Sequence, residues 1–183
     1  MPTHVALLRG INVGGKKLAM ADLRALMAEL GYTDVATYIQ SGNAVFTSEE
    51  TDTIRLADEL EQAIASQLNV SCGVVVITRD ELQQVVEDNP FPGEDNPRAL
   101  HAVFRRAELT EDEQAKVAAA AERAKAKGGQ DEAVIVGRTM FLHTPDGLGR
   151  SELSAQLSRT AASRTGTARN WATVHKLRSM LDA

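Results

Sequence analysis

The spacing of apolar positions in the first part of the chain predicts alternating strands and helices. The run His4–Arg9 is typical of a short buried strand, and the apolar positions from Met20 to Leu30 recur at helical spacing until Gly31. The other predicted elements of this part are a strand at 35–40, a turn at 41–43, a strand at 44–47, a helix at 54–68 and a strand at 70–78. This βαββαβ order predicts a ferredoxin-like, or split βαβ, half with an antiparallel sheet.

The remainder of the chain predicts a similar second set of elements. Its predicted elements are a short helix opened by Thr78 and Glu81, a strand at 100–104, an Ala-rich helix opened by Thr110 and Glu113, a hairpin at 133–143, a helix capped by Ser151, a polar loop at 160–167, and a last helix that carries Trp171. The fold class is therefore α+β, with two ferredoxin-like halves and a C-terminal helix. The predicted domains are 1–88 and 98–183, joined by a Pro-rich connection at 89–97.

Composition excludes several classes of protein. Of the 183 residues, 43% are apolar, as in ordinary globular proteins. The apolar runs, such as Val74–Ile77, fall well short of the ~20 residues that a membrane-spanning helix needs. Since no export signal opens the chain, we expect a cytoplasmic protein. The single cysteine, Cys72, excludes an internal disulfide, and we expect it to be a small buried side chain.

Charge is distributed unevenly along the chain. The net charge is −5, yet residues 1–21 carry three bases and no acid, a local +3. Residues 150–183 carry six bases against two acids, a local +4, and residues 22–149 carry 11 bases against 23 acids, a local −12. If the two ends meet in the folded protein, they form a basic surface; otherwise the bases only solvate separate faces.

The segment LLRGINVGGKK, residues 7–17, nearly matches a phosphate-binding loop. The pattern requires Ser or Thr after the lysine to hold magnesium, and this chain has Lys17 there. The helical period begins only near Met20, and the next strand turns into a hairpin, which disfavours the parallel sheet of such enzymes. We therefore predict no triphosphate hydrolysis. The glycines and lysines still suit an anion site, and the alternative is an exposed tight loop in which Asn12 bonds its own backbone.

Three longer segments carry a family resemblance. The opening VALLRGINVGGKK, the segment FLHTPDGLGRSEL and the segment TARNWATVHKL together resemble the bacterial family called domain of unknown function 1697. The resemblance covers nearly the whole chain and implies an α+β fold of two ferredoxin-like halves, without an established activity. This chain has Ala172 where the family usually has asparagine, so that amide is missing here, whereas Arg169 and Asn170 stay candidates.

A histidine at the end of a predicted strand is the first candidate for a titrating catalytic group. His143 precedes Thr144-Pro145-Asp146-Gly147, and a histidine near an aspartate suggests acid–base chemistry. The alternative is that Pro-Asp-Gly is ordinary turn chemistry, which we favour. The other three histidines lack metal-ligand spacing, so we expect neither a metal nor a cofactor.

These patterns favour binding of a phosphorylated small molecule or a nucleotide. The predicted ligand-binding residues are Arg9, Asn12, Lys16, Lys17, Arg150, Arg169 and Asn170. A nucleic-acid-binding module that uses the same bases is an alternative, which the overall acidity disfavours. A protein-interaction scaffold is a further alternative. We expect no membrane partner, and the sequence indicates neither a reaction nor an oligomeric state.

Overall fold

The computed structural model describes residues 1–183 and confirms the α+β class. Two four-stranded antiparallel sheets are present, one in each half of the chain. The elements of the first half are β1 (His4–Arg9), α1 (Met20–Glu29), β2 (Thr33–Tyr38), β3 (Asn43–Thr47), α2 (Thr53–Leu68) and β4 (Gly73–Thr78). Its sheet has the strand order β2-β3-β1-β4, which is the split βαβ arrangement.

The first core lies between this sheet and its two helices. Alternate residues of β1, Ala6 and Leu8, belong to the same buried cluster as Leu23 of α1 and Leu60 of α2. Because residues two apart point to the same face of a strand, both helices cover one face of the sheet. The start of α2 is fixed by Asp52, whose carboxylate accepts hydrogen bonds from the first-turn amides.

The second half repeats this order of strands and helices. Its elements are α3 (Arg79–Glu87), β5 (Leu100–Phe104), α4 (Glu111–Ala126), β6 (Glu132–Val136), β7 (Thr139–His143), a 3-10 turn (Leu148–Arg150), α5 (Glu152–Leu157), α6 (Ala161–Arg164), β8 (Thr167–Asn170) and α7 (Trp171–Leu181). The sheet order is β6-β7-β5-β8. The predicted caps are confirmed, since Thr110 and Glu113 form a capping box and Ser151 caps α5. None of the helices combines the length and the apolar character that a bilayer crossing requires.

The predicted polar loop at 160–167 is wrong. Residues Ala161–Arg164 form a helical turn, and Thr167 begins β8, which pairs antiparallel with β5. The four residues of β8, Thr-Ala-Arg-Asn, lack an apolar alternation; what holds them is the hydrogen-bonded ladder to β5 and the burial of Thr167 and Arg169 on one face. This strand completes the βαββαβ order of the second half, which the sequence pattern left incomplete.

The chain divides into two compact units. One unit comprises residues 1–84 with 176–183, and the other comprises residues 85–175. The predicted domains placed the whole C-terminal helix in the second half, whereas the end of α7 belongs to the first unit. There, Arg79 donates to the carbonyl of Leu181 and pairs with the carboxylate of Asp182. These contacts place the positive charge of Arg79 at the C-terminal end of α7, where it interacts favourably with the negative end of the helix dipole.

Candidate functional site

The loop between β1 and α1 folds into a small hairpin. Gly14 and Gly15 both have positive φ, 58° and 87°, as the two central residues of a type I′ turn do. The amide of Lys16 donates to the carbonyl of Val13 at 3.2 Å, and the amide of Asn12 donates to the carbonyl of Lys16 at 2.6 Å. The two glycines are therefore required by turn geometry, independently of any phosphate.

Asn12 holds the base of this hairpin. Its side-chain nitrogen donates to the carbonyls of Leu18 at 3.0 Å and of Gln40 at 2.6 Å, and its side-chain oxygen accepts from the amide of Leu18 at 2.9 Å. The bond to Gln40 ties the loop to the turn between β2 and β3. The sequence alternative had Asn12 bond its own backbone, whereas its side chain bonds the backbone of Leu18, six positions on, and of Gln40.

The basic side chains of the loop remain largely available to solvent. Lys16 donates to the carbonyl of Ser71 at 3.1 Å and is exposed. The side chains of Lys17 and Arg9 make no hydrogen bond or ion pair, and the amides of Gly14, Gly15 and Lys17 have no acceptor. The loop lines a depression of about 530 Å³, and no acidic residue lines it; the lining residues are Asn12, Val13, Gly14, Gly15, Lys16, Lys17, Leu18, Ala19 and Gln40.

The thiol near this loop is not activated. Burial, and after it the carboxylate of Glu61, raise the pKa of Cys72 to about 11, and only the ammonium of Lys16 opposes the shift. The thiolate is the reactive form of cysteine, so at neutral pH Cys72 is an unreactive, half-buried side chain. This agrees with the sequence interpretation.

The predicted residues of the second unit differ in exposure and contacts. Arg169 is buried; it donates to the Thr167 hydroxyl at 2.7 Å and to the Ala168 carbonyl at 2.9 Å, and burial lowers its pKa to about 10. The side-chain oxygen of Asn170 accepts from the amide of Thr173 at 2.9 Å and so caps α7. Arg150 is exposed and has no partner. Since these residues lie in the other compact unit from the loop, the meeting of the two basic ends stays a prediction.

His143 ends β7 and is held by a residue that the sequence analysis missed. Its Nε2 lies 2.6 Å from a carboxylate oxygen of Glu94, and its ring stacks on Phe91 with centroids 4.7 Å apart. The hydrogen bond from His143 lowers the pKa of Glu94. The amide of Gly147 donates to the carbonyl of Thr144, so the Pro-Asp-Gly segment is a turn, as favoured. Nothing local marked Glu94, because 49 positions separate it from His143.

The local geometry around Lys16 differs from a phosphate-binding loop. Helix α1 begins at Met20, after an Ala19 that makes no capping bond, so Lys16 lies ahead of its first turn. The sheet is antiparallel, and Lys17 brings no hydroxyl for a metal. The depression contains no carboxylate, histidine, serine or cysteine. Its donors suit binding of an anion, and its side chains supply no nucleophile of the hydroxyl or thiol kind.

Comparison with known proteins agrees with this fold. A solved structure, the conserved bacterial protein SP0830 from Streptococcus pneumoniae, is similar to this chain with a TM-score of 0.74 and 24% identity, over 98% of each chain. At that identity the likeness shows the fold alone. No curated protein matches the chain. The model of the DUF1697 family, described as a protein of unknown function, matches residues 1–141. The chain therefore belongs to the DUF1697 family.

Proposed function

We propose that the loop of residues 10–17 binds the phosphate group of a phosphorylated small molecule or a nucleotide. One observation carries the proposal: a depression of about 530 Å³ is lined by two lysines and by amides without acceptors, and by no acid. Consecutive backbone N–H groups around a glycine turn form a concavity that attracts anions, and ammonium groups add charge. The site is expected in the cytoplasm, as the sequence predicts.

The loop is held in place before any ligand arrives. The bonds of Asn12 to Leu18 and Gln40 fix the hairpin, so little ordering of the backbone has to accompany binding. Hydrogen bonds to a charged group contribute about 1.5–3 kcal/mol each. Two such bonds, from Lys16 and Lys17, sum to about 3–6 kcal/mol, which corresponds to dissociation constants from several millimolar to tens of micromolar. Further donors are needed for tight binding, and Arg150, Arg169 and Asn170 stay predicted contributors.

A second depression in the same unit is a poorer place for an anion. It measures about 570 Å³ and is lined by Glu50, Asp58 and Glu59, with a single base, Arg55. Arg55 already pairs with Glu50 at 2.9 Å. Tyr32 donates to Glu59, and burial together with this bond raises the pKa of Tyr32, so it stays a neutral phenol. The carboxylates there repel a phosphate.

Isothermal titration of the double variant Lys16→Gln/Lys17→Gln tests the proposal. With ADP and ribose 5-phosphate as ligands, we expect at least about tenfold weaker binding than in the wild type, because both ammonium groups are lost. Lys125→Gln is the matched control, since Lys125 is an exposed lysine of α4 without a partner. Equal affinity in the double variant and the control would refute the proposed site.

A salt series separates the proposal from its nucleic-acid alternative. A short RNA bound through its backbone releases counterions, so its affinity falls steeply and log-linearly with salt. A mononucleotide held by two lysines responds less, because fewer phosphates are neutralised. If the RNA binds much more tightly than ADP and shows the steep slope, the nucleic-acid reading replaces the small-molecule one.

A further inference from the structure

Two exposed aliphatic side chains flank the basic loop. Val13 in the loop is 62% exposed, and Ile39 in the neighbouring turn is 49% exposed. They are two of the four large apolar residues that the chain leaves exposed; the other two are Met1 and Ile54. The bond from Asn12 to Gln40 joins the residues next to Val13 and Ile39, so loop and turn are held as neighbours.

Ile39 also has an unfavourable backbone conformation. Its φ is 47°, in the left-handed region, which β-branched residues rarely adopt. Turns at such positions normally use asparagine or glycine, as Asn12 and Asn69 do elsewhere in this chain. Ile39 therefore combines a strained backbone conformation with a solvent-exposed apolar side chain. Local strain of this kind is concentrated at ligand-binding sites, where it is part of function.

We infer that the ligand of the loop is a nucleotide, whose base packs on Val13 and Ile39 while its phosphate takes the loop amides and lysines. This inference rests on the proposed function and names its ligand class. A nucleobase offers an apolar face whose burial with aliphatic side chains is favourable, whereas a sugar phosphate leaves both side chains in water. The depression of about 530 Å³ is within the range of small-molecule sites; Val13 and Gln40 line it, and Ile39 directly precedes Gln40 at its edge in the sequence.

Charge and shape together select this occupant. An uncharged apolar ligand would leave the two lysines and the unpaired amides unused, and inorganic phosphate would leave Val13 and Ile39 unused. A nucleotide satisfies both sets, since one molecule carries a phosphate and a planar ring. An anionic lipid surface also combines charge and apolar character, so binding to lipid vesicles is an outcome that would contradict the nucleotide.

Titration of matched ligands against matched variants tests the inference. In the wild-type protein we expect AMP, which differs from ribose 5-phosphate by the base alone, to bind at least about tenfold more tightly than ribose 5-phosphate, because burial of two aliphatic side chains favours the base. In Val13→Ser/Ile39→Asn that difference should disappear, while ribose 5-phosphate binds as before. Asparagine tolerates positive φ, so Ile39→Asn keeps the turn. Ile54→Asn is the control, because Ile54 is equally exposed, at 48%, and lies in the first turn of α2, whereas Ile39 directly precedes Gln40, which lines the depression.

Each other outcome has a defined meaning. Equal binding of AMP and ribose 5-phosphate by the wild type overturns the base contact and leaves the phosphate site standing. Loss of both ligands in Lys16→Gln/Lys17→Gln, with the AMP preference intact in Val13→Ser/Ile39→Asn, also overturns only the base contact. Absence of binding by either ligand refutes the proposed function and the inference together. Binding of the protein to phosphatidylglycerol vesicles through Val13 and Ile39, without a preference for AMP, overturns the nucleotide in favour of a lipid surface.

Discussion

The two halves share one strand order but differ after their first strand. In the first half, residues 10–19 between β1 and α1 form the hairpin loop, and Arg9 at the end of β1 has no partner. In the second half, residues 105–110 make a shorter connection between β5 and α4, and Arg105 is buried. Its guanidinium donates to the Ala162 carbonyl at 2.6 Å and lies 3.7 Å from the carboxylate of Glu113.

The same topology therefore uses an arginine in two ways. In the second half the charge is satisfied internally, where it supports α6 and the start of α4. In the first half the charge at the strand end is left to solvent. Local net charge does not distinguish these uses: the C-terminal stretch, with its +4, includes the buried Arg169 and an Arg164 that donates to the Arg159 carbonyl. A base is most available to a ligand where its own fold leaves its charged group exposed, as at Lys16 and Lys17.

The largest expected effect comes from removing the buried arginine. Arg105→Met leaves the Ala162 carbonyl, the Thr165 hydroxyl and part of the Glu113 charge without their donor. We expect the free energy of unfolding to fall by about 3 kcal/mol, because breaking a buried pair strands its partners. Arg9→Met should change it by less than about 0.5 kcal/mol, as substitutions away from such contacts do. Urea unfolding measures both, and similar effects would contradict the comparison.

The hairpin turns of the two halves supply the next contrast. Gly42, before β3, has a φ of 89°, and a β-carbon added there would lie 2.6 Å from Ile11 Cδ1 and 2.8 Å from Leu8 Cβ. Gly137, between β6 and β7, has a φ of 58° and open space around it. We expect Gly42→Ala to destabilise the protein by about 2–3 kcal/mol, through strain and overpacking. Gly137→Ala should cost about 1 kcal/mol, through backbone strain alone.

Thermal and urea unfolding of the two alanine variants would show whether Gly42→Ala destabilises the protein more than Gly137→Ala does. A Gly42→Ala protein as stable as Gly137→Ala would mean that Ile11 moves aside without loss. Since Ile11 directly precedes Asn12, a shift there should also disturb the loop. ADP titration of Gly42→Ala then reports whether the β2–β3 turn and the loop are coupled, as the bond from Asn12 to Gln40 implies.

The sequence predicts those elements whose own residues carry a period or a cap. Apolar spacing located α1 and α2, and β-branched runs located β4 and β6. Helix α4 was located by the Thr110–Glu113 capping box. Strand β8 was missed because its stability comes from pairing with β5 and from polar burial, which leave no period in four residues. At β8, pairing with a distant strand determines the structure, although the local sequence is typical of a loop.

For the candidate site, local chemistry was predictable and long-range partners were not. The glycines and lysines of the loop were evident in the sequence, and so was a structural role for Asn12, although its partner Leu18 was not. Its bond to Gln40, 28 positions away, and the pair of His143 with Glu94 depend on the folded chain. The burial of Arg169 was equally hidden, because a charged residue in a short polar stretch normally predicts exposure.

The smallest expected effect concerns a histidine that each half carries in its first strand. Burial lowers the pKa of His4 in β1 and of His101 in β5, and His4 Nε2 and His101 Nδ1 have no hydrogen-bond partner. The unfolded chain then binds protons more readily than the folded one. Stability from these two groups is complete above the ordinary pKa of 6.5 and is lost as pH falls below it, toward the lowered folded pKa.

The two histidines should contribute unequally to this loss. The carboxylate of Glu81 partly raises the pKa of His4 again, whereas no charge opposes the effect of burial at His101. We therefore expect His101→Gln to flatten the dependence of the free energy of unfolding on pH between about 7.5 and 5.5 more than His4→Gln does. Urea unfolding at a series of pH values measures the slope of each variant. A steeper residual slope in His101→Gln would show that the first half carries the acid sensitivity, and that the Glu81 carboxylate does not protect His4.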